Sequence, residues 1–292
     1  MSTDHQQPEQ CIDEWSMLTM TPMQLAMHRI SRRIDRAMSR RWGDRMPVWL
    51  VCEYPKSGGT WLARMLALCL RVPFCEFSLM PISSSCVTFS HWRYDPGRRR
   101  CYYIYRDGRD VLVSLFYHRM RIVHQHPNTP AGVRWARRHP YLLSDAHGQL
   151  DQIRLFRVFA SDVLGDTAGG FDWARHVLEW QQADPARVKM IQYEQLLERT
   201  RDMVVDCLRF SGRSCSEQQI DHAVGFFSFQ AMSGRKVGEE DRGAFVRKGI
   251  AGDWVNHFDR ETAQHFQSHS GDALRKLGYI RDAGWVDVAE SR

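Results

Sequence analysis

One short stretch of this sequence constrains the fold more than any other. Residues 48–52 have the sequence VWLVC, which is typical of a buried parallel strand. A KSGG run follows at residues 56–59, and residues 60–70 then place apolar side chains on one side of a predicted helix. A strand that turns through glycine into a helix brings backbone N–H groups and the positive end of the helix to one point, which favours an anion. The stretch therefore predicts an α/β fold with an anion site after its first strand.

The rest of the chain alternates predicted strands with predicted helices. Further strands are predicted at 86–89, 101–105 and 188–192, and helices at 109–121, 152–164, 171–182, 200–211, 216–224 and 260–277. This order predicts a single α/β domain with a central parallel sheet flanked by helices and a P-loop-like strand, loop and helix. We expect residues 124–151, which contain several prolines and glycines, to be irregular, and residues 234–252 to form a loop.

The N-terminal part differs from the rest. We divide the chain into a tail with a basic helix at 1–46 and a domain at 47–292. Between Met23 and Trp42 apolar residues recur three to four apart, with arginines between them. A surface helix packed on the domain is the favoured interpretation, and a helix lying on an anionic membrane through residues 23–42 is the alternative. Because we find neither a secretory apolar segment nor a membrane-spanning stretch, the expected compartment is the cytoplasm, with peripheral contact at the inner face of a membrane left open.

Charge and cysteine usage narrow the class of partner. The 292 residues carry a formal net charge of +6, which favours anionic partners in general. The eight cysteines form no CxxC pair and no zinc-finger spacing, so we expect neither a disulfide framework nor a metal site. A nucleic-acid partner is not expected, because the one arginine-rich segment lacks base-stacking aromatic groups.

The KSGG loop is not a Walker A loop. That motif places its lysine after the last glycine, whereas Lys56 comes before both glycines. From this side the lysine can neutralise charge on a departing oxygen, and Thr60 can cap the helix or donate its hydroxyl to an anion. The alternative is a plain strand-to-helix turn with an exposed lysine.

Four motifs in order resemble one known family. The loop YPKSGGTW at 54–61 resembles the phosphosulfate loop YPKSGTTW of the sulfotransferases that use 3′-phosphoadenosine 5′-phosphosulfate (PAPS). Residues 105–114 are similar to the family's RNPRDVxVS segment, 171–180 to GSWxxHVxxW, and 245–254 to FxRKGxxGDW. The resemblance implies sulfuryl transfer from PAPS to a hydroxyl or amine acceptor, with PAP as product and no metal.

The resemblance also implies which residues hold the donor. It assigns the 5′-phosphosulfate to Lys56, Ser57, Gly58, Gly59, Thr60 and Trp61, the 3′-phosphate to Arg106, Ser114, Arg247, Lys248 and Gly249, and the purine to Tyr193 and Phe229. The residue types agree with this, since cations, a hydroxyl and a glycine turn can hold a phosphate by charge-assisted hydrogen bonds. The alternatives are a salt bridge between Arg106 and Asp110, a solvated basic turn at 247–249, and core packing for the two aromatic residues.

Catalysis requires a base, and His91 follows the predicted strand 86–89. The resemblance makes His91 the base that takes the acceptor proton, although Ser90 and Trp92 replace the neighbours of a KTHLP-like context. Lys56 then stabilises the departing oxygen and Ser114 restrains Lys56. His91 as a structural histidine is the alternative, and His118 is expected to line the same cleft.

Other departures leave questions open. Gly59 stands where the family usually has threonine, and the segment between 61 and 91 is short. The dimer motif KxxxTVxxxE has no clear match after Trp254, so the oligomeric state stays open. The acceptor is a small molecule, a glycan or a lipid, and we expect residues 124–151 to cover its pocket. A P-loop-type kinase and a non-catalytic nucleotide-binding module are the competing functions.

Overall fold

A five-stranded parallel sheet forms the centre of the molecule. The computed structural model describes residues 21–42, 45, 47–75, 85–97, 100–145, 152–165 and 170–288. The strands are β1 (Val48–Glu53), β2 (Phe74–Cys75), β3 (Cys86–Ser90), β4 (Cys101–Tyr105) and β5 (Val188–Gln192). Their spatial order is β2-β3-β1-β4-β5, and all neighbouring pairs are parallel.

The first strand lies in the middle of this sheet. Val51 of β1 is paired with Phe89 of β3 on one side and with Tyr102 of β4 on the other. The chain leaves β1 towards β3 and later returns to β4 on the opposite side. In such sheets ligands bind outside the carboxyl ends of the strands, at the point where the winding direction changes.

Helices cover both faces of the sheet. They are α1 (Pro22–Trp42), α2 (Gly59–Leu70), α3 (Gly108–Gln125), α4 (Pro130–Arg138), α5 (Gln152–Gly165), α6 (Trp173–Trp180), α7 (Tyr193–Glu198), α8 (Thr200–Phe210), α9 (Glu217–Phe226), α10 (Phe229–Ser233), α11 (Arg260–Lys276) and α12 (Trp285–Val288). Short 3₁₀ helices lie at Pro140–Asp145 and Asp253–Asn256.

Alternation along the strands divides the core into two layers. Tyr103 of β4 points into an aromatic layer with α3, α5, α6 and α11, which includes Phe116, Trp180 and Phe266. Tyr102 points into the opposite layer with α2, α8 and α9. A strand that is buried on both faces needs apolar residues throughout, which explains the continuous apolar runs in the sequence.

Most predicted elements are confirmed, and one prediction is wrong. The strands at 101–105 and 188–192 and the loop at 234–252 are found as expected, and the helix predicted at 260–277 spans Arg260–Lys276. The expectation that 124–151 is irregular fails over α4. Thr129 Oγ1 accepts a hydrogen bond from the Gly132 N–H at 3.0 Å, and Pro130 occupies the first helical turn, so these residues begin a helix. Gly132 is required because a Cβ there would lie 2.0 Å from the His126 carbonyl oxygen.

The N-terminal helix α1 contacts the domain through a salt bridge of 3.1 Å between Arg40 and Asp95. Its apolar side chains Met23, Met27, Ile30 and Ile34 are exposed, so the expected packing of this face on the domain is not found for these four residues. None of the helices in the described ranges has the length and hydropathy needed to cross a bilayer. The described cysteines form no disulfide bond with one another.

Candidate active site

A cleft of about 410 Å³ opens at the carboxyl ends of β1, β3 and β4. Thirteen residues were predicted to bind the donor, and eleven of them line this cleft. The predicted base His91 and its neighbour in the prediction, His118, line it as well. These eleven are Lys56, Gly58, Thr60, Trp61, Arg106, Ser114, Tyr193, Phe229, Arg247, Lys248 and Gly249. Ser57 is fully buried beneath the loop, and its hydroxyl has no hydrogen-bond partner. The fold thus brings residues that lie up to 193 positions apart in the sequence to one place.

The loop after β1 is held in a left-handed conformation. Lys56 has φ of 76° and Gly58 has φ of 101°, and the Ser57 N–H donates to the Tyr54 carbonyl at 3.2 Å. A Cβ at Gly58 would lie 2.5 Å from the ring of Tyr193. Glycine is therefore needed here both for its backbone and for the close approach of an aromatic ring. The ammonium of Lys56 lies 4.4 Å above the ring of Phe245, which also lines the cleft.

A buried carboxyl group lies directly beneath this loop. Glu53, the last residue of β1, is 3% exposed, and its Oε2 accepts a hydrogen bond from the Gly59 N–H at the start of α2. Burial raises the pKa of Glu53 to about 8, although the Gly59 hydrogen bond and the charge of Lys56 oppose the rise. A Cβ at Gly59 would lie 3.0 Å from this carboxyl group and 2.8 Å from the ring of Phe89. The glycine that departs from the family loop therefore makes room for Glu53.

His91 follows β3 and is held by two backbone contacts. Its Nδ1 lies 3.3 Å from the Glu53 carbonyl oxygen, and because a carbonyl only accepts, Nδ1 carries the proton in this bond. That tautomer leaves Nε2 as the nitrogen able to take a proton. The carbonyl of His91 in turn lies 3.4 Å from His176 Nε2. The ring packs edge-on against Phe89, with 4.8 Å between centroids.

Helix α6 supports the segment that carries His91. His176 Nδ1 is 2.9 Å from the hydroxyl of Tyr103, and burial lowers the pKa of His176, so it stays neutral. Trp180 Nε1 donates to the Trp92 carbonyl at 3.1 Å, and Glu179 binds Arg93. The His-x₃-Trp spacing of the third motif thus serves to fix the backbone at 91–93 against the sheet.

A second cationic centre lies at the end of β4. Arg106 stacks 4.4 Å above the ring of Tyr193 and donates to Asp110 at 3.3 Å and to the Ile250 carbonyl at 3.1 Å. The salt bridge considered from the sequence is therefore present, but it is buried rather than on the surface. The Nε of Arg106 is buried and has no hydrogen-bond partner, which is a donor suited to an anion in the cleft.

Two further cations come from the loop at 245–254. Arg247 and Lys248 each donate to Asp253 at 2.6 Å, and Asp253 is almost fully buried. Burial alone would raise the pKa of Asp253, but hydrogen bonds from His257, Lys248, Asn256 and Arg247 hold it well below its usual range. Asp253 therefore remains ionised and fixes the position of both cations.

The same network contains three side chains of the kinds that bind metal ions. Glu240, Asp253 and His257 place ligand-type atoms within 4.8 Å of one another. Arg247 binds both carboxylates and Lys248 binds Asp253, so cations already lie on these oxygens. The arrangement is an ion-pair network, and its cations also line the cleft.

Aromatic rings border the cleft between the two cationic centres. Trp61 meets Tyr193 edge-on at 6.2 Å, and its Nε1 donates to the Phe227 carbonyl at 2.8 Å. Phe229 lies against Gly249, where φ is 68° and a Cβ would approach the ring to 2.2 Å. Flat rings next to cationic donors suit a base that carries phosphates.

Three residues of the site were not found from the sequence. Glu53, Asp110 and Asp253 are acidic residues at an otherwise cationic cleft, and each holds neighbouring groups in place by hydrogen bonds. Asp110 accepts from the N–H groups of Gly252 and Trp254 at 2.7 and 2.9 Å, which attaches the 245–254 loop to α3. Asp110 and Asp253 lie inside the second and fourth motifs, and Glu53 directly precedes the first, so their position was the available signal.

Comparison with known proteins agrees with this geometry. The model of the family described as the sulfotransferase domain matches residues 97–278, which is more than half of the chain. Sulfotransferase 1A1 of Bos taurus is 27% identical over 78% of this chain and 82% of its own, and human sulfotransferase 1E1 is 24% identical over 78% and 83%. Mouse sulfotransferase SULT7A1, solved in complex with PAP, shares the fold with a TM-score of 0.57 at 19% identity, covering 88% of this chain and 93% of that one. The chain therefore belongs to the family of proteins with a sulfotransferase domain.

Proposed function

We propose that this protein transfers a sulfuryl group from PAPS to a hydroxyl or amine of an acceptor, in the cleft described above. The observation that carries the proposal is the pairing of two anion-binding centres in one cleft with His91 beside them. The complex of the mouse neighbour with PAP supports the choice of donor. When bound, PAPS supplies a sulfuryl group that is joined to an oxygen of the 5′-phosphate. This oxygen takes up negative charge as the sulfuryl group is transferred.

The phosphosulfate end fits the loop after β1. Residues 56–61 offer a lysine, backbone N–H groups at a helix start and the hydroxyl of Thr60. The hydroxyl of Ser57 is buried and without a partner, so a donor is present beneath the loop. Lys56 is the group that would stabilise negative charge on the departing oxygen.

The 3′-phosphate fits the second centre. Arg106, with its unpartnered Nε, and the cations of Arg247 and Lys248 line the same wall, together with Ser114 and Gly249. Held by Asp110 and Asp253, these cations need little reorganisation to meet an anion. Tyr193 and Phe229 are the proposed contacts of the purine, because both rings line the cleft, Tyr193 against Gly58 and Arg106 and Phe229 against Gly249.

His91 is the proposed general base. With Nδ1 donating to the Glu53 carbonyl, Nε2 can take the acceptor proton as the hydroxyl or amine attacks. His176 positions His91 by its contact with the backbone carbonyl. A loose transfer of this kind depends on alignment and on charge stabilisation more than on covalent help from the protein.

The competing functions are less well supported. A P-loop-type kinase would place its lysine after the glycines, whereas Lys56 precedes them, and the family match favours sulfuryl transfer. A non-catalytic nucleotide-binding module would not need a histidine with a fixed tautomer beside the lysine. Small molecules, glycans and lipids all remain acceptor classes for the proposal.

Peripheral contact with a membrane is proposed for α1, in an otherwise cytoplasmic protein. The exposed side chains of Met23, Met27, Ile30 and Ile34 form an apolar row on a helix that also carries exposed Arg33 and Arg41. The full chain should therefore sediment with anionic vesicles, and a variant with all four replaced by serine should not. Equal sedimentation of both would refute the contact.

Nucleotide binding tests the donor site. We expect PAP to bind the full chain at least about 10-fold more tightly than 5′-AMP, because charge-assisted hydrogen bonds to the 3′-phosphate are added. Lys248→Gln should remove most of this advantage without changing the affinity for 5′-AMP. Arg242→Gln is the matched control, since Arg242 is an exposed cation of the same loop that does not line the cleft. Equal affinities for PAP and 5′-AMP in the wild-type protein would contradict the proposal.

A further inference from the structure

Arg119 is an arginine of the cleft whose role the donor site does not explain. It lies on α3, is 6% exposed and lines the cleft together with Leu115, one helical turn earlier, and Trp135 of α4. Its guanidinium carbon lies 4.2 Å above the ring of Trp135 and 5.3 Å from that of Phe159. The cation is therefore enclosed by aromatic surface rather than by water.

Among the described residues, Arg119 makes one hydrogen bond, and its partner is the neutral ring of His139. Its Nη1 lies 3.0 Å from His139 Nε2, and because arginine only donates, this nitrogen of His139 is unprotonated. His139 then carries its proton on Nδ1, which lies 2.6 Å from Asp162. Burial lowers the pKa of His139, which keeps the ring neutral. The carboxylate of Asp162 therefore contacts His139 and not Arg119, and the imidazole lies between it and the guanidinium.

The other cleft arginines are differently placed. Arg106 binds Asp110, and Arg247 binds Asp253 and Glu240. Within the described ranges Arg119 has no ion pair with a carboxylate, and its Nε is buried without a hydrogen-bond partner. Burial lowers the pKa of Arg119 to about 10, so the group is still charged at neutral pH. Burying a charge costs free energy unless a group of opposite charge pairs with it, so a ligand that brings a negative charge to Arg119 would be favoured.

We propose that Arg119 binds a carboxylate on the acceptor, and that the acceptor is an aromatic hydroxy acid or amino acid-like molecule whose hydroxyl or amine is presented to His91. A single carboxylate would neutralise the single buried charge, and its planar oxygens match the edge of the guanidinium. Trp135 and Phe245, which line the same cleft, provide flat apolar surface for the acceptor ring. The inference rests on the proposed function and narrows its acceptor class.

Arg119 reaches the cleft from α3 and is held by α4 and α5. Thr129 starts α4, which carries Trp135, and Asp162 of α5 fixes His139 from behind, with Tyr141 donating to the same carboxylate at 2.7 Å. Asp162 and His139 are therefore positioning residues, and Arg119 is the group that would touch the acceptor. This gives the segment that begins at residue 124 a defined part in acceptor binding.

The test compares acids with their esters. Labelled sulfuryl transfer from PAPS is measured for 4-hydroxybenzoate, 4-hydroxyphenylacetate and 3-(4-hydroxyphenyl)propionate, each beside its methyl ester, because the series varies the distance between hydroxyl and carboxylate. We expect the full wild-type chain to favour at least one acid over its ester by about 10- to 100-fold in kcat/KM, mainly through KM. Arg119→Gln should reduce this preference to about twofold or less, and Arg119→Lys should retain part of it.

Two controls make the result specific. Arg134→Gln removes an exposed arginine that stacks 4.9 Å from the same Trp135 ring, and it should keep the preference for the acid. The affinity for PAP should be the same in wild type and Arg119→Gln. A fall in PAP affinity would assign Arg119 to the donor and overturn the inference.

The inference and the proposed function fail in different ways. If esters are sulfated as well as acids, or if Arg119→Gln keeps the preference, the acceptor inference is wrong while the transferase function stands. If no compound is sulfated, the acids and esters are compared by calorimetric binding to the PAP-loaded chain. Equal affinities, or no binding of any acid, would then overturn the inference, whereas failure of PAP itself to bind would overturn the proposed function.

Discussion

Replacing Glu53 by glutamine should raise the free energy of unfolding, and the increase over the wild type should become larger as pH rises. The wild-type carboxyl is buried under the loop, and its hydrogen bond from the Gly59 N–H can be accepted equally by a glutamine oxygen. The substitution therefore keeps the shape and the hydrogen bond but removes the ability to ionise. A difference between the two proteins then reports the cost of a charge at this position.

The size of the effect follows from the pKa. Burial raises the pKa of Glu53 from 4.5 to about 8, so the folded protein keeps a proton that the unfolded chain releases above pH 4.5. Since the folded state binds more protons between these values, the stability of the wild type falls as pH rises through that range. Each pH unit corresponds to about 1.4 kcal/mol, which gives about 5 kcal/mol over the full range as an upper value.

Urea unfolding at pH 5.5, 6.5 and 7.5 measures this directly. We expect the free energy of unfolding of Glu53→Gln to exceed that of the wild type by an amount that grows by about 3 kcal/mol between pH 5.5 and 7.5. Glu198→Gln, at an exposed position on α7, is the control and should show no such growth. A difference between Glu53→Gln and wild type that is constant with pH would show that the buried carboxyl does not hold its proton as described.

Two further predictions concern the same loop and its neighbour. His91→Ala should abolish turnover while PAP binding remains unchanged, with exposed His222→Ala as control; near-normal turnover would refute the base assignment. Gly59→Ala should lower the free energy of unfolding by about 1–3 kcal/mol, because its Cβ would overlap Phe89 and Glu53, and thermal unfolding measures this. Gly225→Ala, which has open space around its Cβ, is the control, and equal effects of the two substitutions would contradict the steric explanation.

The sheet could be predicted because its residues are buried on both faces. A strand such as β4, with the sequence CYYIY, offers no polar face, and its length and apolar run are visible without any knowledge of the fold. The loop at 54–61 was equally visible, because a strand, a glycine turn and a helix start in succession are typical of an anion site. Short elements were missed where the signal is tertiary: β2 has two residues and exists only because β3 lies beside it.

Helix α4 shows why proline and glycine misled the prediction. Pro130 and Gly132 are typical of loops, but here one occupies the first turn of a helix and the other allows contact with the His126 carbonyl. The distinction depends on a neighbouring backbone that sequence patterns do not reveal.

Glu53 was missed for a related reason. A single acidic residue at the end of a strand predicts a solvated end, and its burial depends on how α2 and the ring of Phe89 close over it. The resemblance to the family identified Gly59 as a departure, but its cause became visible only when the carboxyl beneath it was placed. Arg119 likewise stood outside every motif, and its isolation from carboxylates is a property of the packing alone.

Transfer of labelled sulfur from PAPS tests the central claim most directly. Wild-type protein and Lys56→Ala are incubated with labelled PAPS and a mixture of phenols, glycans and lipids, and labelled product is counted beside the affinity for PAP. The account predicts label in at least one acceptor with the wild type, and a loss of turnover in Lys56→Ala that is far larger than its loss of PAP affinity. No labelled acceptor with a wild-type protein that binds PAP, or a change in affinity alone in Lys56→Ala, would contradict it.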